Sequence, residues 1–283
     1  MIRSALFVPG DAERKLQKAP EAGADLLLLD LEDSVGLGRK AVARAMLAAF
    51  LATPGRPPAY VRVNAFDTGL AFQDLAAVLP GRPEGIMLPK CAGGADVARL
   101  ATALDALEAR EGIEAGSTRI LPITTEQGGA LFGLGTYAGA SACLAALTWG
   151  AEDLAAAVGA RANKHAGVFD DIFRLARALC LAGAAHAGVP ALDAVYPDFR
   201  DMAGFAAECA EGRRMGFAGK CAIHPVQVEA INAAFTPSAE ERADAQAIID
   251  AFAADPAAGV VSLGGRMVDR PHLLAARRVL GLA

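Results

Sequence analysis

The sequence predicts an α/β protein: a (β/α)8 TIM barrel followed by a C-terminal appendage of helix and hairpin. Three observations carry that reading. Eight short apolar runs recur along the chain, at 5–10, 25–33, 59–64, 85–90, 119–126, 143–153, 192–198 and 220–225. Between them lie segments rich in Ala, Leu, Arg and Glu, such as 39–52, 95–111 and 201–215. Their apolar residues are spaced three and four apart, the period of an amphipathic helix. Strands alternating with helices imply βαβ crossovers and a parallel sheet. Finally, all eight units fit within about 235 residues, against roughly 250 for a typical barrel of this kind. A doubly wound open sheet is the alternative, but no G-x-G-x-x-G follows the first run.

Composition narrows the class further. Hydrophobic residues make up 54% of the 283 positions and aromatic ones only 6%, with 30 glycines, which describes an aliphatic, tightly turned core. The net charge is −5 and no basic block occurs, so a nucleic-acid surface is not expected. The opening "MIRSALFVPGD" holds an apolar run too short for a signal peptide, and no stretch reads as a membrane span. The five cysteines are odd in number, far apart and without a CxxC; they read as reduced, mostly buried thiols of a cytoplasmic protein.

The barrel is expected over 1–235 and the appendage over 236–283. In "TPSAEERADAQAIIDAFAADP", Ser238 with Glu241 three residues on forms a capping box that opens a helix. A hairpin follows with Gly264-Gly265 at its turn, then Asp269, and Pro271 as the first residue of a last helix.

Nearly every apolar run ends in a polar residue or turn: Pro9-Gly10, Glu32-Asp33, Arg62 and Asn64, Lys90, Glu126, Glu152-Asp153, Asp198, His224. In a barrel these are the C-terminal strand ends, where active sites are built. Glu126 and Asp153 end neighbouring units. Two hard carboxylates with waters are a usual way to hold Mg2+; the other reading makes Asp153 a helix cap and Glu126 a solvated acid. Glu32 could orient a metal-bound water, or Glu32 and Asp33 could be acids favoured by a helix dipole. Arg62 alternates with Val61 and Val63, and its fork suits a carboxylate ligand or an ion pair with Glu32 or Asp33. Lys90 and Lys220 could reach a phosphate or be solvated, and Lys90 is the one well-placed candidate for a Schiff base. His224 reads as a hydrogen-bonded structural residue.

The runs "SALFVPG", "LLLLDLEDSV", "YVRVN", "IMLPK", "TTE", "WGAEDLA", "DAVYPDF", "GFAGKCAIHP" and the tail "FTPSAEE…GRMVDRP" occur in that order. Together they resemble the citrate lyase β-subunit-like branch of the aldolase/citrate lyase family, which includes malyl-CoA and citramalyl-CoA lyases. The resemblance implies a Mg2+-dependent lyase, with Mn2+ as the alternative ion, that makes or breaks a C–C bond between an acyl-CoA and a short α-keto acid. It implies Glu126 and Asp153 as metal ligands, Arg62 gripping the keto-acid carboxylate, and Glu32 supporting a metal-bound water. Gly10 and the backbone after Glu152 would line the keto-acid pocket. It further implies a homo-oligomer, commonly a trimer, whose appendage covers a neighbour's site and delivers Asp269 as acid/base. One departure stands out: Ala157 occupies a place where the family often has a further acid. Two other readings compete, a CoA-independent pyruvate-type class II aldolase and a non-catalytic subunit that needs partners.

Overall fold

The computed structural model describes residues 2–282. Eight strands form one sheet: β1 (Ser4–Pro9), β2 (Leu26–Asp30), β3 (Ala59–Arg62), β4 (Gly85–Leu88), β5 (Arg119–Pro122), β6 (Leu147–Thr148), β7 (Ala191–Asp193) and β8 (Gly219–Ala222). Their order is β5-β4-β3-β2-β1-β8-β7-β6 with every pairing parallel. Parallel bridges Ile120↔Leu144 and Ile123↔Thr148 join β5 to the β6 segment, which brings the two ends of the sheet together as a barrel. The predicted (β/α)8 class is therefore correct.

Most of the strands stop earlier than the apolar runs do. β2 ends at Asp30 rather than 33, β3 at Arg62 rather than 64, and β6 is only two residues long. Val63 and Trp149 are buried just past the ends of their strands. Burial thus continues where ladder pairing has ceased, and composition registers burial rather than pairing. The displaced residues are the ones that become the loops at the barrel mouth.

Side-chain parity divides the barrel into an inside and an outside. A core cluster runs from Ala5 through Leu26, Leu28, Tyr60, Met87 and Leu121 to Cys221, drawing on every strand or the residue beside it. Continuing that parity upward puts Asp30 above Leu28 and Arg62 above Tyr60, and these two are register partners across β2 and β3. The opposite parity faces the helices. Lys220 and Asp193, also register partners, lie on that outer face. Lys220 is fully buried, with Nζ 2.8 Å from Glu208 Oε1 and 3.2 Å from Asp193 Oδ2. Arg177 forks onto Asp193 at 2.8 and 3.1 Å, and Trp149 Nε1 donates to it at 2.7 Å. Burial alone would raise the Asp193 carboxyl; Lys220 and Arg177 overcome it and hold it below the ordinary range. Lys220 is thus neither solvated nor aimed at a ligand phosphate, because its strand turns it away from the mouth.

The predicted helices appear at Lys40–Leu51, Gly94–Glu111 and Met202–Met215. The fifth unit departs from the pattern: a 3-10 helix, Gly128–Thr136, follows its strand. Its sequence GGALFGLGT is rich in glycine, which disfavours a regular α-helix. The sixth unit carries a short helix, Glu152–Val158, then a two-residue ribbon (Lys164–His165 with Val168–Phe169) and the long helix Asp171–Ala187. All five cysteines are free and buried. No helix among the described residues is long and apolar enough to cross a membrane.

The chain divides into two compact units, Ile2–Ala233 and the stretch from Ala234 on. In the second, helix Ala239–Ala254 opens with the Ser238/Glu241 capping box. Strands Val260–Leu263 and Arg266–Asp269 pair antiparallel around Gly264 and Gly265, both at positive φ as a two-residue hairpin turn requires. Asp269 N-caps the final helix, Arg270–Val279, so Pro271 sits at its second residue and not its first. Phe252, Val268 and Leu273 form this unit's own core.

Removing one member of a buried ion pair leaves its partner uncompensated and costs roughly 3–5 kcal/mol. Because Arg177 still holds Asp193, Lys220→Met is expected at the low end, about 3 kcal/mol, read as a lower urea midpoint with an unchanged slope. A midpoint equal to wild type would show that the buried network contributes nothing to stability.

Candidate active site at the barrel mouth

The site starts with Asp30, a residue the sequence reading passed over inside "LLLLDLED". Asp30 is 1% exposed and ends β2. Arg62 Nε and Nη2 each donate to it at 2.7 Å, a bidentate pair across adjacent strands. The Glu32 and Ser34 amides donate to the same carboxylate at 2.8 and 3.1 Å, so Asp30 also turns the chain leaving β2. Burial would raise its pKa, but Arg62 and these donors hold it below the ordinary range. The expected partners of Arg62 were Glu32 or Asp33; the principal one is Asp30, with Glu32 Oε2 at 3.1 Å and Asp33 at 3.8 Å from Nη1. Phe7 backs the guanidinium, its ring centroid 4.9 Å from Cζ. Gly10 is required here: its amide donates to Asp30 O at 2.8 Å, and a Cβ would lie 2.5 Å from that oxygen.

Glu32, buried at 4% exposure, takes a hydrogen bond from Lys90 Nζ. Its Oε2 accepts no hydrogen bond. Burial raises its pKa by more than Arg62 and Lys90 lower it, and Asp33 adds a smaller rise. Lys90 sits at φ +51, a conformation rare for a side-chain-bearing residue. Its Nζ is also 3.6 Å from Asp153 and 3.7 Å from Asp33. Burial would lower its pKa, yet Glu32 and the other acids raise it, so the ammonium keeps its proton. That is opposite to what a Schiff-base lysine needs.

Two threonines bring Glu126 beside Asp153. Thr124 N and Oγ1 both donate to Thr148 O, at 2.8 and 2.9 Å. Thr125 Oγ1 bonds both the N–H and the carbonyl of Gly150, at 3.1 and 3.2 Å. The motif "TTE" therefore stitches the fifth strand end to "WGAED". A Cβ on Gly150 would lie 2.9 Å from Glu126 Cγ, so only glycine lets the two segments close. Glu126 is 4% exposed and accepts a hydrogen bond from the Lys90 amide. Burial pushes its carboxyl up to about 8, with Glu32 and Asp153 adding to the effect. Asp153 does not cap its helix: the N-cap is Ala151, with no side-chain bond, and Asp153 lies in the first turn. Glu152 is exposed and accepts from Asn163 Nδ2 at 2.7 Å.

These groups meet at a cavity of about 660 Å3 lined by Arg62, Glu126, Glu152, Asp153 and apolar residues such as Phe7 and Met87. Arg14, Lys15 and Lys18 also line it, with no ion pair to any of them among the described residues. His224 lines it too, stacked on Phe199 at 4.5 Å between centroids, with its Nδ1 accepting from the Val226 amide. Arg3 lies at the other end of β1, forked onto Asp25. Asp269 belongs to the C-terminal unit, where His272 bonds its carboxylate and holds its pKa low. Among the described residues no cluster of three or more His, Cys, Asp or Glu side chains is arranged to hold a metal. The carboxylate pair is what the mouth offers, and it suits an ion that keeps much of its water.

A family model described as HpcH/HpaI aldolase/citrate lyase matches residues 3–225. The chain belongs to that family. It is 36% identical to the (3S)-malyl-CoA thioesterase of Cereibacter sphaeroides (strain ATCC 17029 / ATH 2.4.9), over 100% of this chain and 94% of the relative. It is 33% identical to the mitochondrial citramalyl-CoA lyase of Mus musculus, over 99% and 86%. A solved structure of CitE from Mycobacterium tuberculosis, in complex with magnesium, acetoacetate and coenzyme A, superposes with a TM-score of 0.80 at 32% identity, covering 99% of this chain and 97% of that one.

The Glu126 shift sets a sign for stability. The folded carboxyl keeps a proton that the unfolded chain releases above its ordinary value of 4.5. With chelator present, stability should therefore fall as pH rises from about 5 towards 8. Glu126→Gln should flatten that slope, and Mg2+ should restore wild type at the alkaline end. A slope identical in the two proteins would count against Glu126 as its source.

Proposed function

We propose that this chain is a Mg2+-dependent carbon–carbon lyase that cleaves or forms a β-hydroxyacyl-CoA from an acyl-CoA and a short α-keto acid. One observation carries the reading: two adjacent strand tops present Glu126 and Asp153 to one cavity beside Arg62. Glu126 and Asp153 would hold the ion, and Mg2+ bound there supplies Lewis acidity to the keto-acid oxygens. Asp30 fixes the Nε and Nη2 edge of Arg62, so Nη1, which rests 3.1 Å from Glu32 Oε2, is the donor that would turn to the substrate carboxylate and hold the keto acid in register. Glu32 supports the site through a metal-bound water, and Gly10 and Glu152 help shape the keto-acid pocket. In cleavage a positioned carboxylate takes the β-hydroxyl proton, the C–C bond breaks, and the carboxylic acid so formed returns that proton to the acyl-CoA enolate. Asp269 fills that role in a homo-oligomer, a trimer, in which each appendage serves a neighbouring subunit.

The unpaired cations Arg14, Lys15 and Lys18 favour a CoA ester over a free hydroxy-keto acid, since CoA carries phosphates for them to meet. The thioesterase named among the relatives supports a second reading, hydrolysis of the thioester after condensation. One assay separates the alternatives. The purified chain is given malyl-CoA and citramalyl-CoA, or acetyl- and propionyl-CoA with glyoxylate or pyruvate, with and without chelator. Chelator-sensitive release of keto acid and acyl-CoA is expected, and Glu126→Gln or Asp153→Asn should lower it by at least 10²-fold. Free thiol without keto acid would indicate hydrolysis. Turnover of hydroxy-keto acids alone would move the chain to the CoA-independent aldolases, and inactivity without added subunits to a partner-dependent role. Asp269→Asn should lose turnover yet bind Mg2+ like wild type; an unchanged rate would remove Asp269 from the chemistry.

A further inference from the structure

Among the described residues, Lys90 is the one whose two ends reach different carboxylates of the mouth. Its backbone amide donates to Glu126, and its ammonium donates to Glu32. The same ammonium lies 3.6 Å from Asp153 and 3.7 Å from Asp33. A lysine in an ordinary extended or helical conformation would not send amide and side chain to these places. The left-handed φ of +51 does so, at a conformational cost that a side-chain-bearing residue normally avoids. Neighbouring segments fix the residue there: the Cys91 amide bonds Ile123 O at 3.3 Å, and Leu88 O accepts from the Ile123 amide at 2.8 Å.

From this geometry we infer that Lys90 is a positioning residue: its amide aligns Glu126, and its ammonium pins Glu32 while competing with a metal ion for Asp153. The inference rests on the metal reading of Glu126 and Asp153. Two consequences of opposite sign follow. A unit positive charge a few ångströms from Asp153 opposes a second cation at the same carboxylates, so it weakens Mg2+ binding. The same charge keeps Glu32, whose Oε2 accepts no hydrogen bond, from swinging away from its place between Arg62 and the mouth. Lys90 thus trades metal affinity for alignment. A residue that served only to fold the loop would lower both affinity and rate when replaced, or neither.

The test uses Lys90→Met, which removes the charge and keeps the bulk, and Lys90→Gly, which keeps the amide and relieves the positive φ. Mg2+ affinity is read by calorimetry on the full chain, and kcat and KM are read separately for the best CoA ester. Expected for both variants is Mg2+ binding about tenfold tighter or more, with kcat down on the order of 10²-fold. Lys90→Arg should recover part of kcat and return the affinity towards wild type. Lys90→Gly stays informative if Lys90→Met fails to fold. Unchanged or weaker Mg2+ binding in a folded variant, while wild type binds and turns over normally, would overturn this role alone. A wild-type chain that binds no Mg2+ would overturn the metal reading and this inference with it.

Discussion

The mouth of this barrel depends on the pair between Asp30 and Arg62. Both continue the inward parity of their strands, one residue pair above a layer of Leu28 and Tyr60, where the core ends. A buried carboxylate at that height is costly unless it is matched, and the bidentate guanidinium matches it. The consequences spread outward. Asp30 accepts the Glu32 amide and so directs the loop that carries Glu32. Glu32 in turn holds the Lys90 ammonium, and the Lys90 amide holds Glu126. A chain of hydrogen bonds therefore runs from β2 to the fifth strand end, and each member is oriented by the one before it.

Two of the clusters of buried charge in the first unit differ in what they can do. The cluster of Lys220, Asp193, Arg177 and Glu208 lies on the outer face of the sheet, where cations and acids satisfy one another. Nothing there is left to bind a ligand. At the mouth, by contrast, one Glu32 oxygen accepts no hydrogen bond, and burial pushes the Glu126 carboxyl up to about 8. A buried carboxyl that is costly to ionise, facing a cavity beside a second acid, is a place where an external cation would be favoured.

The fold was legible because the period of eight apolar runs survives single-sequence reading, and the strand ends named loops that meet at the barrel mouth. Glu32, Arg62, Glu126 and Asp153 stood out because each terminates a run. Asp30 was missed because it lies inside its run, although it and Arg62 fall at matching heights on consecutive strands with opposite charge. Lys220 was misjudged for a related reason: its parity against Cys221 turns it to the helices, and parity can be assigned only once the neighbouring strands are in register. The conformation of Lys90 had no signal, since a left-handed lysine looks in sequence like any other. The choice between cap and ligand for Asp153 needed the N-cap to be located at Ala151.

The central claim is that Glu126 and Asp153 together hold one divalent ion beside Arg62. Anomalous scattering from crystals grown with Mn2+ and an α-keto acid tests it most directly. The account predicts a single strong peak within bonding distance of both carboxylates, with the keto acid between the ion and Arg62. A peak at any other acid cluster, or none at the barrel mouth under saturating Mn2+, would contradict it.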